Sequence, residues 1–264
     1  MIAERPAAGQ QWSAARYARY GRFVADLAQD LVAILDAKPG ERILDLGCGD
    51  GALSEQIAAR GATVLGVDAS AEMVAAARAR GLDVRLLDGH ALAAQADLRE
   101  SFDAVFSNAA LHWMKRDPDA VLQGVASVLK PAGRLVAELG AAGNVASLRG
   151  ALHEALAARG ISACAADPWY FPSAADYRQR LEQAGFEVVA ISSFERPTPL
   201  TGSAAHWLQT FAGAFLEAVP GGQRETLVAE VQAGLAQRLR RAGEQWVADY
   251  VRLRFTATKR NPHA

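Results

Sequence analysis

Between Arg42 and Leu139, short apolar runs alternate with longer alanine-rich stretches whose apolar residues recur every three or four positions. The short runs are RILDL (42–46), ATVLGV (62–67), LDVRLL (82–87), FDAVFS (102–107) and RLVAEL (134–139), all of strand length and strand composition. Between them ALSEQIAAR (52–60), AEMVAAARAR (71–80) and PDAVLQGVASVLK (118–130) predict helices. Asp117 is placed to cap the last of these, with Pro118 and Asp119 in its first turn, and KPAG (130–133) ends it. Strands alternating with helices of this length imply a mostly parallel sheet covered on both faces.

Beyond residue 139 the regularity changes. Residues 144–160 predict a helix, DPWYFPS (167–173) a loop bracketed by prolines, and residues 174–185 a helix ended by Gly185. FEVVAISSFERP (186–197) and WVADYVRLRFTATK (246–259) read as strands around a helical insertion at 203–244. Two late strands without a crossover between them predict an antiparallel pair at one sheet edge.

At 264 residues the chain can bury a sizeable core as one globular domain. The organisation expected is N-terminal helices at 1–40, a core at 41–143, and late strands with helical insertions at 144–264. A net charge of −1 gives no basic excess for nucleic acid or a membrane surface. Cys48 and Cys164 form neither a disulfide framework nor a metal-ligand spacing, so no metal is expected. MIAERPAAGQ is too polar for a signal peptide, no apolar run is long enough to cross a bilayer, and a cytoplasmic protein is expected.

The chemistry starts at LGCGDGA (46–52), where Gly47, Gly49 and Gly51 alternate and Gly47, Gly49 and Ala52 satisfy the loose fingerprint G-x-G-x-x-[G/A] of a nucleotide-binding turn. Ligands of open α/β sheets bind beyond the carboxyl ends of the strands. Three successive strands each deliver an acid to that rim: Asp45, Asp68 and Asp88. A dinucleotide would bring its pyrophosphate close to Asp45, each like-charge contact at about 4 Å costing on the order of 4 kcal/mol. S-adenosylmethionine has no phosphate and carries a sulfonium and an ammonium, so the same acid becomes favourable. Asp68, followed by Ala69, lies where an acid meets ribose hydroxyls. Asp88 can accept from an adenine amine, with the Gly89 and His90 amides facing the ring nitrogens and Met73 against its face. Taken singly, each has a plainer reading: a tight turn, a helix start, a turn acid, a core methionine.

ILDLGCGDG, VLGVDAS, LLDGHA, FDAVFSNAALHW and LKPAGRLV together resemble the class I S-adenosylmethionine-dependent methyltransferases. Within them the whole chain is similar to the trans-aconitate methyltransferase-like group, with Trp12 and Tyr17 near the start, SNAALHW after the fourth strand, and Trp207 in the helical insertion. The resemblance implies a Rossmann-like, doubly wound α/β fold, seven-stranded with one antiparallel strand, and a helical cap over the acceptor. It carries Asp45, Gly47 and Gly49 to the methionine moiety, Asp68 to the ribose and Asp88 to the adenine. It also places Asn108 and Ala109 at the methionine end and closes Tyr17 over the cofactor. Where such enzymes have a Gln-Met-Pro-like segment after the fifth strand, this chain has ELGAAGNV (138–145), so the acceptor does not carry over.

The protein's task in transfer from a sulfonium is alignment, and a base is needed only for acceptors that must lose a proton. His112 is open to two readings, a base or a pocket wall. Trp113, Asn144, Trp169 and Trp207 are the further candidates for the acceptor site. SNAA in place of an Asn/Asp-Pro-Pro-aromatic segment argues against a nucleic-acid acceptor. The expectation is O-methylation of a small carboxylate, with phenolic, carbon or protein acceptors as alternatives. A non-catalytic binding protein and a nucleotide-dependent oxidoreductase are the other classes. Oligomeric state is not legible.

Overall fold

The structure, a computed structural model, describes residues 10–261; the nine residues carrying most of the leader expectation lie outside it. Seven strands follow the order β3-β2-β1-β4-β5-β8-β6 across one sheet. They are β1 (Arg42–Leu46), β2 (Thr63–Asp68), β3 (Val84–Leu86), β4 (Phe102–Asn108), β5 (Leu129–Gly140), β6 (Phe186–Pro199) and β8 (Gln245–Lys259). β1 to β5 pair in parallel, and β8 runs antiparallel to β5 with Glu138 opposite Arg254 and Gly140 opposite Arg252.

An eighth strand, β7 (Arg240–Ala242), corrects the expected count of seven. It pairs antiparallel with β8 across the two residues Gly243 and Glu244, with Gly243 at φ +60° as a tight hairpin requires. Its sequence, RRA, has no apolar alternation, which is why it read as the end of the helical insertion.

The chain forms two compact units. The larger takes residues 22–142, 169–194 and those from 252 on. It holds β1 to β5 and the Arg252–Lys259 part of β8. β1 is its centre: Ile43, Leu44 and Leu46 are enclosed because helices cover both faces of a parallel sheet. Helices Gln29–Leu35 and Ala52–Ala58 bury Leu31, Leu35, Leu53 and Ile57 against Ile43, Phe106 and Val136. The helix Gln29–Leu35 thus packs with the sheet. Ser70 and Asp117 cap helices Ala71–Ala79 and Pro118–Val128, accepting from the Met73 and Ala120 amides.

The smaller unit takes residues up to 21, 143–168 and 195–251. Helices Ala146–Ala157 and Arg224–Leu235 pack through Leu148, Leu152, Leu156, Leu227, Val231 and Leu235. Asp167, enclosed, accepts from Arg149 Nε at 2.5 Å and lies 3.0 Å from His153 Nε2. Helix Ala204–Phe211 starts in a reciprocal capping box between Ser203 and His206. Among the described residues no helix is long and apolar enough to cross a membrane.

Candidate functional site

Strand order reverses between β1 and β4, and ligands of such sheets lie beyond the carboxyl ends at that reversal. β1 leads there into the glycine turn, whose three glycines have separate reasons. Gly47 (φ +75°) lies against Ala110 of the loop after β4, so closely that a Cβ would collide with the Ala110 methyl. Gly51 (φ +80°) starts the helix Ala52–Ala58 where its Cβ would strike Leu82. Gly49 (φ +56°) has open space where a Cβ would stand, so its bare backbone faces outward. The first and third glycines build the turn, and the middle one leaves room beside it.

The three rim acids differ in setting. Asp45, 2% exposed, accepts from Ser54 Oγ at 2.5 Å. Burial pushes its carboxyl up to about 7; the serine opposes this and the charge of Asp68 adds to it. Asp68 ties the turn to the next helix, accepting from the Gly49 amide at 2.9 Å and the Ser70 amide at 2.8 Å. Burial still raises it against those two amides. Ala69 beside it is exposed. Asp88 is half-exposed and accepts from the His90 amide at 3.0 Å, with His90 Nδ1 at 2.7 Å and Arg116 at 3.1 Å. Burial acts to raise its carboxyl, and these partners outweigh it.

The His90 amide, expected to face adenine, is therefore engaged by Asp88, which caps the 3₁₀ turn Gly89–Ala94. The His90 ring bridges Asp88 to Asp117, accepting from the Asp117 amide at 3.3 Å through Nε2. Met73, expected against the adenine, is enclosed in the core. Met114 is the methionine at the rim: a Cβ on Gly89 would stand 2.9 Å from its sulfur.

At the end of β4, Asn108 donates through Nδ2 to the Val24 carbonyl at 3.2 Å, while its enclosed Oδ1 has no partner among the described residues. Ala109 holds a left-handed backbone (φ +55°), rare without glycine, and donates its amide to the Glu138 carbonyl at 2.8 Å. His112 is buried, with Nδ1 accepting from the Gly140 amide at 3.2 Å. Burial, and then the Arg252 charge, hold its pKa well below the usual imidazole value. The Trp113 and Phe171 rings lie 5.5 and 5.7 Å from the imidazole, and Trp169 stacks on Phe171 at 5.7 Å.

Residues 43–133 match the model of a methyltransferase domain family. A Schizosaccharomyces pombe protein named as an uncharacterized methyltransferase is 41% identical over 256 residues, covering 94% of this chain and 98% of that one. The chain belongs to the S-adenosylmethionine-dependent methyltransferases. A trans-aconitate 2-methyltransferase of Mycolicibacterium gilvum is 41% identical over 114 residues, 42% of this chain and 43% of that enzyme. A crystal structure of a protein from Bacillus halodurans C-125, assigned as a methyltransferase, superposes with a TM-score of 0.61 at 17% identity, covering 90% of this chain and all of that one. The oxidoreductase alternative falls.

The methyltransferase's rim fits its cofactor. Asp45 is a buried acid whose carboxyl is pushed upward by burial and by the charge of Asp68, and Asn108 Oδ1 is an enclosed acceptor without a donor among the described residues. Both suit a phosphate-free ligand carrying positive charge. The remaining candidates belong to the smaller unit. Tyr17 meets Trp12 and Phe211 edge-on at 5.8 and 6.3 Å. Trp207 donates its indole N–H to the Tyr250 hydroxyl at 2.6 Å. Asn144 is enclosed and accepts from the Val251 amide at 2.9 Å.

Sequence reasoning missed Ser54, Met114, Arg116, Gly140 and Arg252. Ser54 had a signal, a hydroxyl on the apolar face of a helix nine residues after Asp45. The others meet their partners only through the fold.

Proposed function

We propose that this methyltransferase methylates a carboxylate oxygen of a small acid. The observation carrying the reading is at His112, the histidine following β4, whose Nδ1 lone pair is occupied by the Gly140 amide. A phenol or carbon acid wants a base there, whereas a carboxylate is already ionised at neutral pH. The partial likeness to trans-aconitate 2-methyltransferase supports the same acceptor class.

S-adenosylmethionine supplies an activated methyl group on a sulfonium when bound. In this reading Asp45, Gly47, Gly49, Asn108 and Ala109 hold its methionine part, Asp68 its ribose, and Asp88 with Gly89 and Met114 its adenine. On receiving the ammonium, Asp45 would release its proton to solvent, and the ion pair would offset the cost of its burial. Cys48 and Cys164 are free thiols, in keeping with a reducing cytoplasm.

The test is label transfer from methyl-labelled S-adenosylmethionine into a small-molecule cell extract, followed by mild base. Volatile, base-released label is expected, as from a methyl ester. Base-stable label would replace the carboxylate with an ether, amine or carbon acceptor.

A further inference from the structure

An amide N–H can only donate, so the ring nitrogen it meets must present a lone pair. The Gly140 amide meets His112 Nδ1 at 3.2 Å, which puts the proton of the neutral ring on Nε2. The backbone fixes the ring's place as well, because the His112 carbonyl accepts from the Tyr170 amide at 2.9 Å. Protonating Nδ1 would aim two N–H groups at each other in a buried site, so a second proton and the other tautomer are both disfavoured.

The groups around the ring agree. Trp113 shares its turn, and Phe171 faces it from the segment after Trp169. Tyr170 in that segment has its phenol pushed up by burial, with Arg180 opposing, so it stays uncharged. From β5 comes Gly140. From β8 comes Arg252, almost wholly enclosed, whose Nε donates to Glu138 at 3.1 Å, with Arg254 on the other oxygen at 2.9 Å. The β5–β8 register sets Arg252 opposite Gly140, the residue whose amide meets the ring, and its positive charge adds to burial in disfavouring a second proton on the imidazole.

We propose that His112 is a fixed hydrogen-bond donor to the methyl acceptor, presenting Nε2–H, and that Arg252 is the positioning residue that holds it in that form. The partner for such a donor is a carbonyl or carboxylate oxygen, and a two-oxygen group can accept from it while its other oxygen takes the methyl. No proton moves at His112. Its role toward the acceptor rests on the proposed function; its tautomer does not, and is measured without any acceptor.

The experiment is long-range proton–nitrogen correlation on the full chain labelled at its histidines, with His112→Gln used to assign the signal among the five histidines. A bare Nδ1 and protonated Nε2 are expected at neutral pH and on down through the ordinary imidazole value of about 6.5. Titration near the ordinary imidazole value, or a proton on Nδ1, overturns the proposal. Arg252→Gln should move the titration upward while burial still holds it below the ordinary imidazole value, and Arg252→Lys should move it back down. If the glutamine variant does not fold, the wild-type and lysine spectra decide.

For the donor role, turnover is read as base-labile label formed in the small-acid fraction of the extract. His112→Phe should slow it about 10-fold or more at unchanged S-adenosylhomocysteine affinity, and His112→Gln, which keeps an N–H, should recover part of the loss. The expected tautomer with an unimpaired His112→Phe enzyme overturns the donor role alone. Base-stable label with the expected tautomer overturns the carboxylate reading instead.

Discussion

Two buried carboxylates at the carboxyl ends of neighbouring parts of the sheet meet opposite surroundings. Glu138, fully enclosed on β5, is held between Arg252 and Arg254 of β8. Asp45, nearly as enclosed on β1, has a serine hydroxyl and a second acid nearby, and its carboxyl is pushed up to about 7. Removing a carboxylate from water costs several kcal/mol unless charges and hydrogen bonds replace the water. At Glu138 the chain supplies that replacement from its own strands. At Asp45 it supplies a serine hydroxyl, and in the proposed function the cation of the ligand supplies the rest. A buried acid completed from within serves the fold, and one left short of a cation is suited to a ligand.

The strongest way to break this contrast is Glu138→Ala. It leaves two guanidiniums around a missing partner and should cost about 3–5 kcal/mol, read by chemical denaturation. A loss under about 1 kcal/mol would mean that the arginines find water instead. Asp45→Asn should do the reverse to the fold. At pH 8 the variant should be more stable than wild type, while S-adenosylhomocysteine affinity by calorimetry falls about 10- to 100-fold. Destabilisation at pH 8 would make Asp45 a second Glu138.

The sign of the pH effect sharpens the point. Because the folded pKa of Asp45 lies above the ordinary carboxyl value of 3.8, the folded chain keeps a proton that the unfolded chain releases. This group's stabilising contribution is complete at low pH, declines as pH rises through the interval from about 4 to about 7, and is gone above it. Binding a cationic ligand should therefore release a proton near pH 6 and none near pH 8.5. Affinity should rise up to about tenfold across the interval, as calorimetry in two buffers of different ionisation enthalpy would register. Asp45→Asn should abolish the linkage. The smallest effect belongs to Gly49→Ala, which meets no atom and should cost about 1 kcal/mol through its left-handed backbone. Gly47→Ala should cost clearly more, since its methyl adds a collision with Ala110.

Much of the larger unit was legible because its signals are local. Five apolar runs became β1 to β5, although β3 keeps only Val84–Leu86 and β5 starts at Leu129, taking in the KPAG segment expected to end the helix; Asp117 caps the helix it was placed to cap. The glycine turn and the rim acids followed from strand ends and charge. β7 escaped because RRA carries no apolar alternation, and Met114 carried no sequence signal that set it beside Gly89. The His90 amide was expected to be open because a capping aspartate and a ligand-facing aspartate look the same in one dimension.

Within about twenty residues, hydrophobic period, turn glycines and the sign of charge decided the sheet, the turn and the kind of cofactor that suits it. Backbone preference and like-charge repulsion act over that short range. Long-range pairing decided the rest. Arg252 and Arg254 alternate with apolar residues along β8 as a solvent-facing row would, and are enclosed because the β5 register sets Glu138 opposite Arg254. The Gly140 amide, 28 positions away, determines which nitrogen of His112 carries the proton. A charge or a tautomer takes its character from the group across from it, and that group is brought there by strand pairing rather than by its place in the chain.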